Sequence, residues 1–180
     1  MWLVTVDFSR LFFVDETGTK TNMTRSRGRA RKGQRVYGSA PGRWDSTTVI
    51  GAISQRHGLS SLMTMDGALN GELFVAWVER FLVPELSVGD VVVLDNLSVH
   101  KSAEAKALIE SAGAEVRFLP PYHPELNPIE LAWNKLKTSL RRIQARCTKT
   151  LDQAIVTAVD EITPNDVANW FKHSLLKLGR

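Results

Sequence analysis

Short apolar runs punctuated by turn residues dominate the first two thirds of the chain; longer amphipathic stretches dominate the last third. Leu11 to Val14 is a run of β-formers followed by Asp15-Glu16 and Thr17-Gly18, which predicts a buried strand closed by a turn. Thr47 to Ile53 and Leu59 to Met65 read as two further strands, separated by His57-Gly58 and closed by Asp66-Gly67. Three consecutive strands with short turns suggest an antiparallel meander. The segment Lys20 to Arg43 reads as a glycine-containing loop with a short strand near Arg35 to Tyr37. From Asn70 to Leu86 the spacing of Leu73, Trp77, Val78 and Phe81 predicts a helix, capped by Asn70 and ended or kinked at Pro84.

Val91 to Leu94 has no polar alternation, as expected of a central strand covered on both faces, and it ends in Asp95-Asn96. Ser102 to Ala112 is a helix with Ser102 as cap and Gly113 as stop. Glu115 to Leu119 is a short strand. Pro120, Pro121, Pro124 and Pro128 then enforce a stiff extended loop. A long helix follows from Glu130, with the apolar stripe Ile129, Trp133, Leu136, Leu140 and Ile143. Leu151 to Ile162 and Asn165 to Leu176 complete the chain as two helices. The order β-β-β-α-β-α-β-α, with appended C-terminal helices, is an α/β layout with a mixed sheet, a meander continued by right-handed crossovers.

At 180 residues, 43% hydrophobic, the chain is one domain with a sizeable core, which excludes disorder as a whole-chain description. A single cysteine, Cys147, excludes a disulfide scaffold and fits a reducing, cytoplasmic compartment. No apolar run reaches the ~20 residues of a membrane span, and Asp7 and Arg10 interrupt Met1 to Val6 before a secretory core forms.

Charge is distributed unevenly. Lys20, Arg25, Arg27, Arg29, Arg31, Lys32 and Arg35 lie in one segment without an acid. They exceed the whole net charge of +4, so the rest of the chain is net acidic. A basic, glycine-containing loop of this kind suits the phosphates of a nucleic acid. A second basic run comprises Lys135, Lys137, Arg141, Arg142 and Arg146.

Three acids complete the picture. Asp15 and Asp95 each follow a buried apolar strand, where open α/β sheets place ligand-binding groups. Singly, each also suits a turn former. If the strands are parallel neighbours, the two carboxylates face each other across about 4.8 Å and need a cation between them. Oxygen donors without a His or Cys cluster select magnesium or manganese over zinc. Glu130 opens the long helix after the stiffened loop, and the face it heads carries Asn134, Lys137 and Arg141. An acid at the site with cations trailing away along one face suits a phosphodiester chain.

The segments Val-Asp-Glu-Thr-Gly (14–18), Leu-Asp-Asn-Leu-Ser-Val-His (94–100) and Pro-Pro-Tyr-His-Pro-Glu-Leu-Asn-Pro-Ile-Glu-Leu-Ala-Trp (120–133) resemble the catalytic domain of mariner-superfamily DDE transposases, most closely the bacterial insertion-sequence 630 group. Asp95 and Glu130 are separated by 34 residues, the spacing of that group. The resemblance runs from about Leu11 to Arg142.

It implies a ribonuclease H-like fold, a mixed five-stranded sheet flanked by helices. It implies Asp15, Asp95 and Glu130 as catalytic ligands of two Mg²⁺ ions, with Mn²⁺ as substitute. The implied activity is strand cleavage at transposon ends and strand transfer into target DNA. Asn96 and His100 match the motif after the second acid and are expected to contact DNA or support the site. Lys137, Arg141 and the loop residues Arg25, Arg27, Arg29, Arg31, Lys32 and Arg35 are the expected DNA contacts. Glu16 is expected to point away from Asp15, and Trp133 to belong to the core.

Complete members carry helix-turn-helix domains ahead of the catalytic domain, and Met1 to Arg10 is too short for one. The expectation is a single catalytic domain over 1–180, either the downstream product of a split frame or a remnant. Its partners would be DNA, a second copy of itself, and an upstream helix-turn-helix segment or a full-length transposase, with the nucleoid as location and no membrane. A silent fragment acting as a DNA-binding, assembly or repressor module is the alternative; a ribonuclease H or resolvase is a third reading, disfavoured by the 120–133 motif.

Overall fold

The computed structural model describes residues 7–175 except Ser26 and Tyr122. Met1 to Val6 and Leu176 therefore lie outside the described residues, and with them the reading of the N-terminus and the last position expected of the terminal helix. Among the described residues, no helix is long and apolar enough to cross a membrane.

Five strands form one mixed sheet in the order β3-β2-β1-β4-β5. They are β1 (Leu11–Lys20), β2 (Ser46–Ser54), β3 (Gly58–Asp66), β4 (Val91–Leu94) and β5 (Glu115–Phe118). The meander β1-β2-β3 is antiparallel, with a tight turn between β2 and β3 and the long segment 21–45 between β1 and β2. Gly58 takes φ +70° in the second turn, a conformation that strains any residue with a Cβ. The chain then crosses over twice, so β4 and β5 run parallel to β1.

Helices cover both faces. α1 (Gly71–Trp77) and α2 (Ala103–Ser111) lie on one side, α3 (Ile129–Ile143), α4 (Thr148–Asp160) and α5 (Pro164–Leu175) on the other. The pleat divides the core accordingly. Phe12, Val14, Ile50, Val92 and Leu94 pack with Phe74, Trp77 and Ile109. Leu11, Phe13, Val49, Val91 and Val93 pack with Trp133, Leu136, Leu140 and Phe171. Phe13 meets Phe171 edge-on, ring centroids 5.6 Å apart.

Three expectations need correction. The first strand does not close at Asp15 but runs on to Lys20, because Glu16 to Lys20 pair with Ser46 to Ile50 and the β-branched Thr17 and Thr19 are buried. Its parallel pairing with β4 does end near the expected place, at Phe13 opposite Val93. Arg35 to Tyr37 form no strand and stay exposed. The helix after Asn70 is regular only to Trp77, then widens into a π turn at Val78–Leu82 and tightens through Val83–Glu85. That widened turn rotates the buried face, so Phe74, Trp77, Val78 and Leu82 are inside while Leu73 and Phe81 are more than a third exposed.

Candidate active site

Asp15 and Asp95 lie two residues beyond the last parallel pair, Phe13 and Val93, on adjacent strands. They therefore emerge at the same level at the carboxyl end of the parallel half of the sheet. Glu130 comes from the first turn of α3, directly after the proline-rich loop. All three line one cavity of about 410 Å³, whose walls include Asn96, Pro120, Pro121 and Asn127.

Their environments differ. Asp15 is 8% exposed. Burial first, then the charges of Glu130, Glu16 and Asp95, push its pKa up to about 7. Its Oδ2 accepts a hydrogen bond from Trp133 Nε1 at 3.2 Å. Trp133 is a core residue, as its place on the apolar stripe predicts, and its indole N–H also reaches the site. Opposite Asp15 on β2 stands Gly51, where a Cβ would come within 2.7 Å of Leu62 and 3.3 Å of the Trp133 ring. The glycine is thus the space into which the indole fits.

Asp95 behaves in the opposite way. Burial raises its pKa, but hydrogen bonds from His100 and the Leu97 N–H, with the charges of His100 and Lys101, carry it below the ordinary carboxylate value. Both bonds fall on Oδ1, at 2.6 Å from His100 Nδ1 and 2.9 Å from Leu97 N.

Of the two roles expected of His100, contact with DNA or support of the site, its burial fits the second: it is 2% exposed. Burial lowers its pKa, yet the adjoining Asp95 and Glu16 carboxylates raise it to about 9. Glu16 does point away from Asp15, to the other face of the sheet, and there its Oε2 lies 3.3 Å from His100 Nε2. Asn96 Nδ2 donates to Leu119 O at 2.7 Å, tying the end of β4 to the start of the proline loop.

Among the described residues, no three His, Cys, Asp or Glu side chains are close enough to enclose an ion together. The donor set is nonetheless all-oxygen: the Asp15, Asp95 and Glu130 carboxylates line one cavity, and after burial it is the charges of Glu130, Glu16 and Asp95 that hold the Asp15 pKa up. Hard divalent cations fit that chemistry.

Among the described basic residues, some are held by acids or carbonyls and others lie exposed on the loop. Lys135 pairs with Asp166 at 2.6 Å, Arg142 with Glu161, and Arg146 donates to the carbonyls of Thr21 and Met23. Arg25, Arg27, Arg29, Arg31, Lys32 and Arg35 are exposed on the loop. Arg25 and Arg27 approach α3 and line a second cavity of about 440 Å³ with Lys135, Arg141 and Arg142. Lys137 is half-buried on α3, outside that lining.

Sequence reasoning missed the contact of Trp133 with Asp15, although its position three residues after Glu130 places it one helical turn away. It also missed the buried Asn127, whose Oδ1 has no hydrogen-bond partner among the described residues.

The family described as DDE superfamily endonuclease matches residues 10–152, a stretch that holds Asp15, Asp95 and Glu130. No curated protein matches the chain. Among solved structures, the fold is similar to the Mos1 transposase paired-end complex with left transposon end, at TM-score 0.76 and 14% identity over 99% of this chain and 56% of that one. The Mos1 strand transfer complex gives TM-score 0.72 and 16% identity over 96% and 53% of the two chains. The catalytic domain of Mos1 mariner transposase gives 0.72 and 11% over 99% and 83%. The chain spans about half the length of the first two. At these identities the likeness establishes the fold, which is ribonuclease H-like.

Proposed function

The chain belongs to the DDE superfamily endonuclease family, and from that premise we propose that it is the catalytic domain of a DNA transposase of the mariner superfamily, insertion-sequence 630 branch. Its activity is cleavage of DNA strands at transposon ends and their transfer to a target. One observation carries the reading: Asp15, Asp95 and Glu130 converge from three elements on one cavity at the end of two adjacent parallel strands. The similar Mos1 paired-end complexes were crystallised with Mn and with Mg, which supports a divalent metal here.

Asp15, Asp95 and Glu130 would hold two Mg²⁺ ions, with Mn²⁺ as substitute. When bound, the ions supply an activated hydroxyl nucleophile and charge stabilisation for the leaving oxygen. The protein's own parts in this are distinct. Trp133 fixes the Asp15 carboxylate from the core side. Asn96 holds the proline wall against β4, so the cavity keeps its shape as DNA enters. Glu130 sits exposed at the start of α3. Arg141 and the loop arginines are placed to neutralise backbone phosphates leading away from it.

End recognition we assign to a helix-turn-helix segment or a full-length partner transposase, and assembly to a homodimer, with residues 1–180 acting as a single catalytic domain at the nucleoid.

The test is nicking of supercoiled plasmid in Mg²⁺ or Mn²⁺ by wild type and by Asp95→Asn. Wild type should nick and the variant should not. Equal nicking by both overturns the assignment of Asp95. No nicking by wild type, with salt-sensitive DNA binding intact, replaces the catalytic reading with that of a silent DNA-binding or assembly module.

A further inference from the structure

Asp15 and Glu16 are adjacent on β1, so the pleat sends their side chains to opposite faces of the sheet. Both nonetheless reach the same site. Asp15 faces the cavity directly. Glu16 reaches it from behind, through His100.

The His100 side chain is fully buried, and its ring lies 4.9 Å from that of Phe74. Its two nitrogens are set between two carboxylates, Nδ1 2.6 Å from Asp95 Oδ1 and Nε2 3.3 Å from Glu16 Oε2. The first is a short hydrogen bond; the second is an ion-pair distance without hydrogen-bond alignment. Packing alone does not call for this arrangement, since an apolar side chain would fill the space beside Phe74 without the cost of burying a polar ring. Asp95 needs an external hold. It follows Leu94, the last residue of β4, and is itself outside the ladder.

We propose that His100 and Glu16 are positioning residues for the metal site: the His100 Nδ1–H locks Asp95 Oδ1, leaving Oδ2 as the oxygen offered to the cation, and Glu16 braces the ring from the opposite face of the sheet. This rests on the reading of Asp95 as a metal ligand. Partners that orient ligating groups typically account for a 10- to 100-fold effect on metal affinity.

The test is Mn²⁺ binding to the full chain without DNA, followed by the electron paramagnetic resonance of free Mn²⁺, with near-ultraviolet circular dichroism to verify folding. His100→Asn puts an amide N–H where Nδ1 stood and should bind Mn²⁺ within about threefold of wild type. His100→Gln carries its amide past that point and should bind about 10- to 100-fold more weakly. Glu16→Gln, altered at a partly exposed position that tolerates change, should keep the wild-type fold and weaken binding about 3- to 10-fold. Wild-type affinity in His100→Gln, or equal loss in His100→Asn and His100→Gln, overturns the role of His100. Wild-type affinity in Glu16→Gln overturns that of Glu16. Asp95→Ala separates the two levels. If it leaves Mn²⁺ affinity unchanged, the ligand assignment fails; if it abolishes binding while His100→Gln does not weaken it, the positioning role alone fails.

Discussion

Substituting Asp15 by Asn should stabilise the metal-free protein at neutral pH, although it removes a residue assigned to catalysis. The pKa of Asp15 rises from 3.8 to about 7 on folding. A carboxyl group whose pKa is raised favours the folded state while it keeps its proton, so stability falls as pH climbs from about 4 to about 7 and is level above. The full rise corresponds to roughly 4 kcal/mol at 1.36 kcal/mol per pH unit. Asn keeps an oxygen for Trp133 Nε1 and carries no charge against Glu130, Glu16 and Asp95. Asp15→Asn should therefore exceed wild type by about 2–4 kcal/mol at pH 7.5, or about 5–15 °C in Tm, and match it near pH 4. Urea unfolding in a chelator, followed by the fluorescence of the fully buried Trp77 and Trp133, measures this directly. An internal control comes from His100. Its pKa, raised to about 9, gives stability that is complete below 6.5 and is lost as pH rises to 9, so that slope should persist in both proteins. Saturating Mg²⁺ at pH 7.5 should narrow the gap by stabilising wild type alone. Parallel stability curves for the two proteins from pH 4 to 7.5 would refute the reasoning, as would a less stable variant.

Gly51→Ala should cost about 1–3 kcal/mol, because the new methyl meets Leu62 and crowds the Trp133 ring; thermal melts read the loss, and a weaker Mn²⁺ affinity should accompany it. Trp133→Phe leaves Asp15 Oδ2 without its donor and should destabilise by about 1–3 kcal/mol at pH 8, measured by urea unfolding. Replacing Arg25, Arg27 and Arg141 by Gln should lower the dependence of log affinity on log salt by about 2–3 on duplex DNA, read by fluorescence anisotropy, while plain loop solvation predicts no change.

The parts of the fold legible in sequence were those governed by local pattern. Val91 to Leu94, uniformly apolar, is the strand buried on both faces. Ser102 caps α2 through the Ala105 N–H, as its position suggested. The shared placement of Asp15 and Asp95 followed from two apolar runs each ending in an acid. Where pairing is decided by a partner strand, local pattern failed. The apolar run of β1 stops at Val14, but β2 holds the strand to Lys20, and Thr19 Oγ1 donates to Thr47 O at 2.9 Å inside the sheet. The π turn at Val78–Leu82 has no local marker, since Leu73 and Phe81 continue the helical spacing that the backbone abandons. Trp133 and Asp15 are 118 positions apart, and only the docking of α3 on the sheet brings them together. His100 was legible as a motif residue, but its sequence neighbours do not reveal that Glu16 and Phe74 close over it.

The strand order also sets the timing of assembly. β2 and β3 are joined by a tight turn and β1 pairs with β2 from Lys20 opposite Ser46 onward, whereas β1 and β4 pair across about 80 positions, beginning with Leu11 and Val91. Closing that loop costs entropy before any contact rewards it, so it belongs to the slow part of folding. In the folded sheet β4 is what brings Asp95 to the level of Asp15, so without that pairing the two acids have nothing to hold them together. A nascent or partly folded chain thus has no site for cutting DNA. The complete cavity needs both the docking of β4 and that of α3, which brings Trp133 to Asp15 across 118 positions, and divalent-ion uptake during refolding would record the later of the two.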